Sequence, residues 1–242
     1  MTYAHFASLY DRLMEDAPYA KWISYAENHL TAEGTILDVA CGTGTFTLML
    51  AQKGFRVSGT DISGEMLAIA EEKSRKSHVA APFFLQDMRS LEGFSEMDGV
   101  TLFCDGINYL HNEEEVKRTF NTIYNVLKQD GVLLFDAHTP FKFEHYFNNQ
   151  LYGVDDEHVS YMWFCDREEE PLSVRHSLTF FVKTNNGLYE RKEEEHFQRT
   201  YPVASYVSWL EEAGYSHIEV SGDFGTRPLR TDDERVFIKA KK

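Results

Sequence analysis

From residue 35 onward, short apolar runs alternate with stretches whose apolar residues recur every three or four positions. The first kind reads as buried strand and the second as amphipathic helix, and their alternation predicts an α/β fold: a doubly wound, mostly parallel sheet with helices on both faces. A first strand is expected at residues 35–40. After Gly44 a helix places Phe46, Met49 and Leu50 on one side and stops near Gly54, a natural C-terminal glycine. A second strand, residues 55–60, leads into Asp61, and Ser63 is placed to cap a helix over 65–75, with Glu65 in its positive first turn. A third strand over 83–86 leads into Asp87, and a fourth covers 100–104. The next helix starts at Asn112 with Glu113, Glu114 and Glu115 in its first turn. Val116, Phe120, Ile123 and Leu127 form its buried stripe, and Gly131 is expected to end it.

The pattern changes after a fifth strand at 132–135. About 65 residues rich in aromatics and charges follow, too many for a plain loop. Strands are expected within them at 161–165, 177–184 and 188–200, with Asn185-Asn186-Gly187 suited to a hairpin turn, so the segment reads as a small antiparallel β lobe inserted after strand 5. A helix over 205–213 and strands at 217–221 and 236–240 then complete a seven-stranded sheet.

Composition narrows the partners. Against 24 Lys and Arg stand 39 Asp and Glu, a formal net charge of −15 that repels polyanions and weighs against nucleic acid. No apolar run approaches the roughly 20 residues of a membrane helix. Charged Asp11 and Arg12 arrive before any signal-peptide apolar stretch develops, so the expected location is the cytoplasm. Cys41, Cys104 and Cys165 lie far apart, without the paired spacing of a zinc site or the even count of a disulfide framework, and no metal is expected.

The most informative segment is Ile36-Leu37-Asp38-Val39-Ala40-Cys41-Gly42-Thr43-Gly44-Thr45, which couples a buried strand to a helix through a glycine turn on which a ligand can lie. Such turns also serve dinucleotide-binding dehydrogenases, but Thr47 stands where that fingerprint wants glycine or alanine. Asp38, inside the motif, can organise the turn and, directly or through water, attract a ligand's ammonium group, whereas it would repel a pyrophosphate. Asp61, seventeen residues after Gly44, is placed to accept both hydroxyls of a ribose. Asp87 could accept a hydrogen bond from an adenine amino group, with Met88 packed on the ring.

In this combination the sequence resembles the class I S-adenosylmethionine-dependent methyltransferases, in particular the small-molecule methyltransferase-domain family with its Asp-x-x-x-Gly-x-Gly motif, over residues 35–138. The resemblance implies a Rossmann-like domain made of residues 1–138 and 205–242, with an N-terminal helical lid, and residues 139–204 as the lobe covering the substrate cleft. It implies S-adenosyl-L-methionine as cofactor, with Ala40, Cys41 and Gly42 on the methionine moiety and Asp61 on the ribose. Ile62 and Met66 would flank adenine, Gln86, Asp87 and Met88 would close over it, and Cys104 and Asp105 would line the methionine end. Ala40 departs from the family by standing where many members carry a first glycine. A second resemblance, to the lid of amine-methylating relatives, covers Phe6-Ala7-Ser8-Leu9-Tyr10-Asp11-Arg12-Leu13-Met14 and Tyr19. It would put Tyr10 and Tyr19 at the cofactor's methionine end; the alternative is that both simply pack a helix on the sheet.

Methyl transfer asks mainly for alignment of a nucleophile behind an electrophilic carbon, and only a protonated nucleophile needs a base. His111, His138, His196 and Tyr109 are candidates by position, each with a plain structural role as the alternative, and no catalytic residue is assigned. The aromatics Phe141, Phe143, Tyr146, Phe147, Trp163, Phe164 and Phe197 suit the lobe to a substrate cover, or to a core of its own. The acidic runs 168–170 and 193–195 read as solvated; one facing the cleft would favour a cationic amine. The expected activity is methyl transfer to a small-molecule N or O nucleophile. A tRNA or rRNA methyltransferase and a non-catalytic cofactor-binding module are the competing readings, and the oligomeric state is left open.

Overall fold

The computed structural model describes residues 6–157, 159–184 and 186–242, the side chains of Phe6, Ala7, Ser8 and Arg12 excepted. Two helices, α1 (Phe6–Leu13) and α2 (Tyr19–His29), precede the sheet. Next come β1 (Thr35–Val39), α3 (Thr45–Gln52), β2 (Arg56–Asp61), α4 (Gly64–Ser77), β3 (Phe83–Leu85), β4 (Met97–Leu102), α5 (Glu113–Val126) and β5 (Leu127–His138). The short α6 (Pro140–His145) leads into β6 (Gln150–Asp155), β7 (Val159–Arg167), β8 (Ser173–Lys183) and β9 (Tyr189–Arg199), and α7 (Val203–Glu212), β10 (Ser216–Ser221) and β11 (Arg235–Lys241) finish the chain.

Strand β1 is buried on both faces over Ile36–Val39, as a near-continuous apolar run in a parallel sheet should be. The seven-stranded sheet has the order β10-β11-β5-β4-β1-β2-β3, with only the β10–β11 and β11–β5 pairs antiparallel. The chain runs outward from β1 through β2 to β3, then returns to place β4 on the other side of β1. This reversal opens a crevice beyond the carboxyl ends of β1 and β4, where open α/β sheets bind ligands. One sheet face packs Phe120 and Ile123 of α5 against Tyr206 and Trp209 of α7, and the other packs Trp22 and Tyr25 of α2 with Phe46 and Leu50 of α3.

The second sheet, β6-β7-β8-β9, is wholly antiparallel. It is fastened on two sides of the crevice. Val159, Leu178 and Phe180 pack with Leu9 of α1 and Met66 of α4, while Phe143 and Phe147, from α6 and the turn after it, pack with Cys165 and Val174.

Both capping residues read from the sequence cap: Ser63 Oγ accepts from the Met66 amide at 3.2 Å, and the Asn112 side chain accepts from the Glu115 amide at 2.9 Å. The end of α5 differs from the expectation. Leu127 is buried but has extended backbone, so the helix stops at Val126 and β5 starts four residues ahead of Gly131. Strand β6 and helix α6 were not foreseen. Of the hairpin turn expected at 185–187, Asn185 lies outside the described residues, as does the start of the N-terminal segment at residues 1–5. Among the described residues no helix is long and apolar enough to cross a membrane.

Candidate active site

The turn after β1 is built from left-handed backbone: Ala40, Gly42 and Gly44 have φ of 53°, 55° and 74°. At Gly42 an added Cβ would meet nothing within 4 Å, so this backbone faces open space; at Gly44 it would come within 2.8 Å of Ala70 and 2.9 Å of Phe83, so that glycine lets the turn pack against α4 and β3. Ala40, which stands where many members of the resembling family carry a first glycine, adopts a left-handed conformation that suits glycine better.

Asp38 holds the turn from below. It is 3% exposed, and its two oxygens accept from the hydroxyls of Thr47 at 2.5 Å and Thr101 at 2.8 Å. Burial pushes its carboxyl up to about 7, against the pull of those hydroxyls. The turn-organising role is thus the one visible in its contacts. A carboxyl that keeps its proton up to about pH 7 when folded, but to about pH 4 when unfolded, adds stability that is complete below pH 4 and is lost as the pH rises through 7. Asp38→Asn should therefore flatten the fall in melting temperature between pH 4 and 7. An unchanged slope would place the responsible titration elsewhere.

Asp61, at the end of β2, accepts from the Gly42 amide and the Ser63 amide, each at 2.8 Å. No cation pairs with it among the described residues. Burial raises its pKa while the backbone donors of Ser63 and Gly42 oppose the rise.

Of the fourteen residues expected to touch the cofactor, Tyr10, Tyr19, Asp38, Ala40, Cys41, Gly42, Asp61, Ile62, Met66, Met88, Cys104 and Asp105 line one cavity of about 380 Å³. Gln86 and Asp87 do not. They line an adjoining cavity of about 340 Å³ that shares Ala40, Asp61, Ile62 and Met88 with the first. The Gln86 side chain is tied to the backbone of Glu92 at both its nitrogen and its oxygen, and the Asp87 carboxylate pairs with Arg89, whose guanidinium holds its pKa below the usual range. Tyr109, His138 and His196 also line the first cavity, while His111 stacks on Phe197 at 4.7 Å beside the second. The acidic runs lie outside both; Glu168 pairs with Arg175 and Glu193 with Arg191.

Two polar clusters emerge that the sequence did not disclose. The first closes the N-terminal helix onto the glycine turn: Asp11 of α1 accepts from Lys73 Nζ at 2.8 Å and Thr43 Oγ1 at 2.6 Å, and Lys73 also donates to Thr45 at 2.6 Å. The second lies at the carboxyl ends of β4 and β5. Arg235 of β11 bridges Asp105 at 3.0 Å and Asp136 at 2.9 Å, beneath the ring of Trp22. Asp136, fully buried, also accepts from Trp22 Nε1 at 2.6 Å and the Asp105 amide at 2.8 Å. Burial by itself would raise Asp105, but facing His138 and Arg235 outweigh it and keep its pKa well below the carboxylate range.

The lobe reaches this cluster through a chain of defined polarity. Trp163 Nε1 can only donate, so His176 Nδ1 accepts at 2.9 Å; His176 Nε2 then donates to Gln198 Oε1 at 3.2 Å, and Gln198 Nε2 donates to Asp105 at 2.8 Å. Burial lowers His138, His176 and His196 to about 4 each, so all three imidazoles are neutral at pH 7.

A crevice at the reversal of a doubly wound sheet, floored by a glycine turn with an acidic residue ending the next strand, is the arrangement in which open α/β sheets hold nucleoside-containing ligands. Comparison with known proteins makes the class specific. The methyltransferase domain family matches residues 36–131. A Geobacillus sp. (strain WCH70) protein provisionally named a methyltransferase is 47% identical, covering 100% of both chains. The glycine/sarcosine N-methyltransferase of Aphanothece halophytica is 27% identical, over 86% of this chain and 75% of its own. The crystal structure of an S-adenosylmethionine-dependent methyltransferase from Clostridium acetobutylicum ATCC 824 superposes with a TM-score of 0.88 at 29% identity, covering 99% of this chain and 98% of that one. The chain belongs to the methyltransferase domain family and is an S-adenosylmethionine-dependent methyltransferase.

Proposed function

We propose that the enzyme methylates a nitrogen or oxygen nucleophile on a small molecule held beneath the antiparallel lobe. The observation that carries this reading is the far wall of the 380 Å³ cavity, made of Tyr161, Trp163, His176, Leu178, His196 and Gln198 from β7, β8 and β9. These face the glycine turn across a space of the size that encloses small ligands. With residues 139–204 as the cover, water is excluded and an acceptor is aligned, and alignment contributes roughly 7 to 11 kcal/mol to such reactions. A screen of amines, phenols and carboxylates with mass-spectrometric detection of methylated product tests it; no product from any of them would remove the reading.

The residues fit the cofactor. Gly42 opens onto the cavity, and Asp61, already oriented by two backbone donors, keeps lone pairs for a ribose diol. Ile62, 60% exposed, with Met66 and Met88 would flank adenine, Ala40, Cys41, Gly42, Cys104 and Asp105 would border the methionine end, and Tyr10 and Tyr19 would cover it. Once bound, the cofactor supplies a methyl carbon made electrophilic by its sulfonium. Gln86 and Asp87, engaged with Glu92 and Arg89, are left the outer part of the adenine subsite. Asp61→Ala should weaken S-adenosylmethionine binding by about 1.5 to 3 kcal/mol, the scale of a hydrogen bond to a charged group. Calorimetric affinity equal to wild type would move ribose recognition elsewhere.

The relative acting on glycine and sarcosine favours an amine nucleophile, and the cavity walls do not favour RNA. Among the described residues the one Lys or Arg lining the first cavity is Lys142, which is paired with Glu234 at 3.1 Å.

A further inference from the structure

We infer that Lys73 is a positioning residue of the cofactor site: it fastens α1 onto the glycine turn and thereby sets how slowly S-adenosylmethionine and its demethylated product, S-adenosylhomocysteine, leave. The inference rests on the placement of the cofactor against that turn and is independent of which acceptor is methylated.

With eight residues, α1 is too short for a helix to persist by itself in water, so it stays only where its contacts hold it. Two sets of contacts do so. Leu9 packs with Met66 of α4 and with Val159, Leu178 and Phe180 of the lobe. Asp11 makes the polar set, its carboxylate accepting from Lys73 Nζ at 2.8 Å and from Thr43 Oγ1 at 2.6 Å. Lys73 also donates to Thr45 at 2.6 Å and to Thr43 at 3.1 Å, so the three donors of its ammonium are spent on α1 and on the two threonines that flank Gly44.

These contacts hold a wall of the cavity in place. Tyr10, next to Asp11, lines the cavity with Leu13 and Met14, as do Ala40, Cys41 and Gly42 of the turn, so a cofactor lying on the turn is bordered by α1 as well. Segments that admit and release ligands are drawn from the least stable parts of a fold, and a helix held only by its contacts is such a part. The apolar set ties α1 to α4 and the lobe; the polar set ties it to the turn itself. In that pair the Lys73 side chain is 25% exposed and that of Asp11 40%, so breaking it strands no buried charge. The turn then keeps its shape and loses its fastening to α1.

Surface plasmon resonance on the immobilised full chain, with S-adenosylhomocysteine as analyte, separates the two rates. Lys73→Met should raise the dissociation rate about 10-fold and leave the association rate within about twofold of wild type, whereas a distorted turn would slow association. Lys73→Arg, which keeps the cation, should stay close to wild type. Asp11→Asn should speed dissociation to a similar extent, and the double variant no more than the larger of the two single effects, because the two residues form one fastening. In hydrogen exchange on the chain saturated with S-adenosylhomocysteine, the amides of residues 9–14 should exchange faster in Lys73→Met, with those of β1 and β5 unchanged. Dissociation from Lys73→Met within about twofold of wild type, Lys73→Arg as fast as Lys73→Met, additive effects of the two substitutions, or faster exchange that spreads to β1 and β5 overturns the inference. Asp61→Ala, measured alongside, tests the placement of the cofactor separately. Unchanged affinity there removes the placement, and with it the inference; weakened affinity there, with unchanged dissociation from Lys73→Met, removes the role of Lys73 alone.

Discussion

Gly42→Val is expected to abolish S-adenosylmethionine binding, lowering affinity by at least about 100-fold, which corresponds to about 2.7 kcal/mol. Two effects act together. Gly42 sits at φ 55°, a left-handed backbone that costs a residue with a Cβ roughly 1–2 kcal/mol, and more when the side chain is β-branched. The added carbons would also project into the space onto which the turn opens, since nothing of the protein lies within 4 Å of that Cβ position. That same openness means the substitution should spare the fold. Titration calorimetry on a variant with a cooperative melt is the measurement. Near-normal affinity would show that the ligand lies off this turn.

Arg235→Leu should instead strike stability, by about 3–5 kcal/mol, the cost of leaving buried charge uncompensated. Arg235 is the cation shared by Asp105 and Asp136, and Asp136 has no exposed surface. In a chain of 242 residues each kcal/mol moves the melting temperature by roughly 2–4 °C, so a drop of about 6–20 °C is expected. Adding Asp136→Asn to the variant should recover part of it by removing the stranded charge. A loss below about 1 kcal/mol would mean that water reaches the cluster.

The parts legible in the sequence were those whose cause is local. The turn from Asp38 to Thr45, the caps at Ser63 and Asn112 and the buried stripe of α5 from Val116 to Ile123 each rest on residues within a few positions of one another, and each stands where it was read. The end of α5 was misjudged because Leu127 is buried equally well in the last turn of a helix or the first step of a strand, and burial alone carries no period. Strand β6 gave no alternation to read: it lies at the edge of the second sheet and five of its six residues are exposed.

The site divides along the same line. The residues near the glycine turn converge as expected, whereas the bridge from Trp22 through Asp136 to Arg235 joins positions more than 100 residues apart in sequence on one side, and nothing in the neighbourhood of any of them marks it. Asp105 was placed at the methionine end by resemblance alone; its contacts make it the meeting point of Gln198, Arg235 and His138. For Asp87 the competing partner sits two residues away, at Arg89, and the pairing takes the carboxylate that an adenine amino group would use.

The hydrogen-bond chain from Trp163 to Asp105 has a consequence for how the site can change over generations. Each link is a donor meeting an acceptor, and the direction is set at both ends: an indole that can only give and a carboxylate that can only take. Exchanging Asp105 for asparagine, or Gln198 for glutamate, sets like against like unless another member changes in step. A single exchange at Gln198 or Asp105 therefore leaves one buried partner unmatched, and a change of polarity along this wall needs two members to change together. Tyr161 and Leu178 beside them lie outside this hydrogen-bond chain and are held by packing instead.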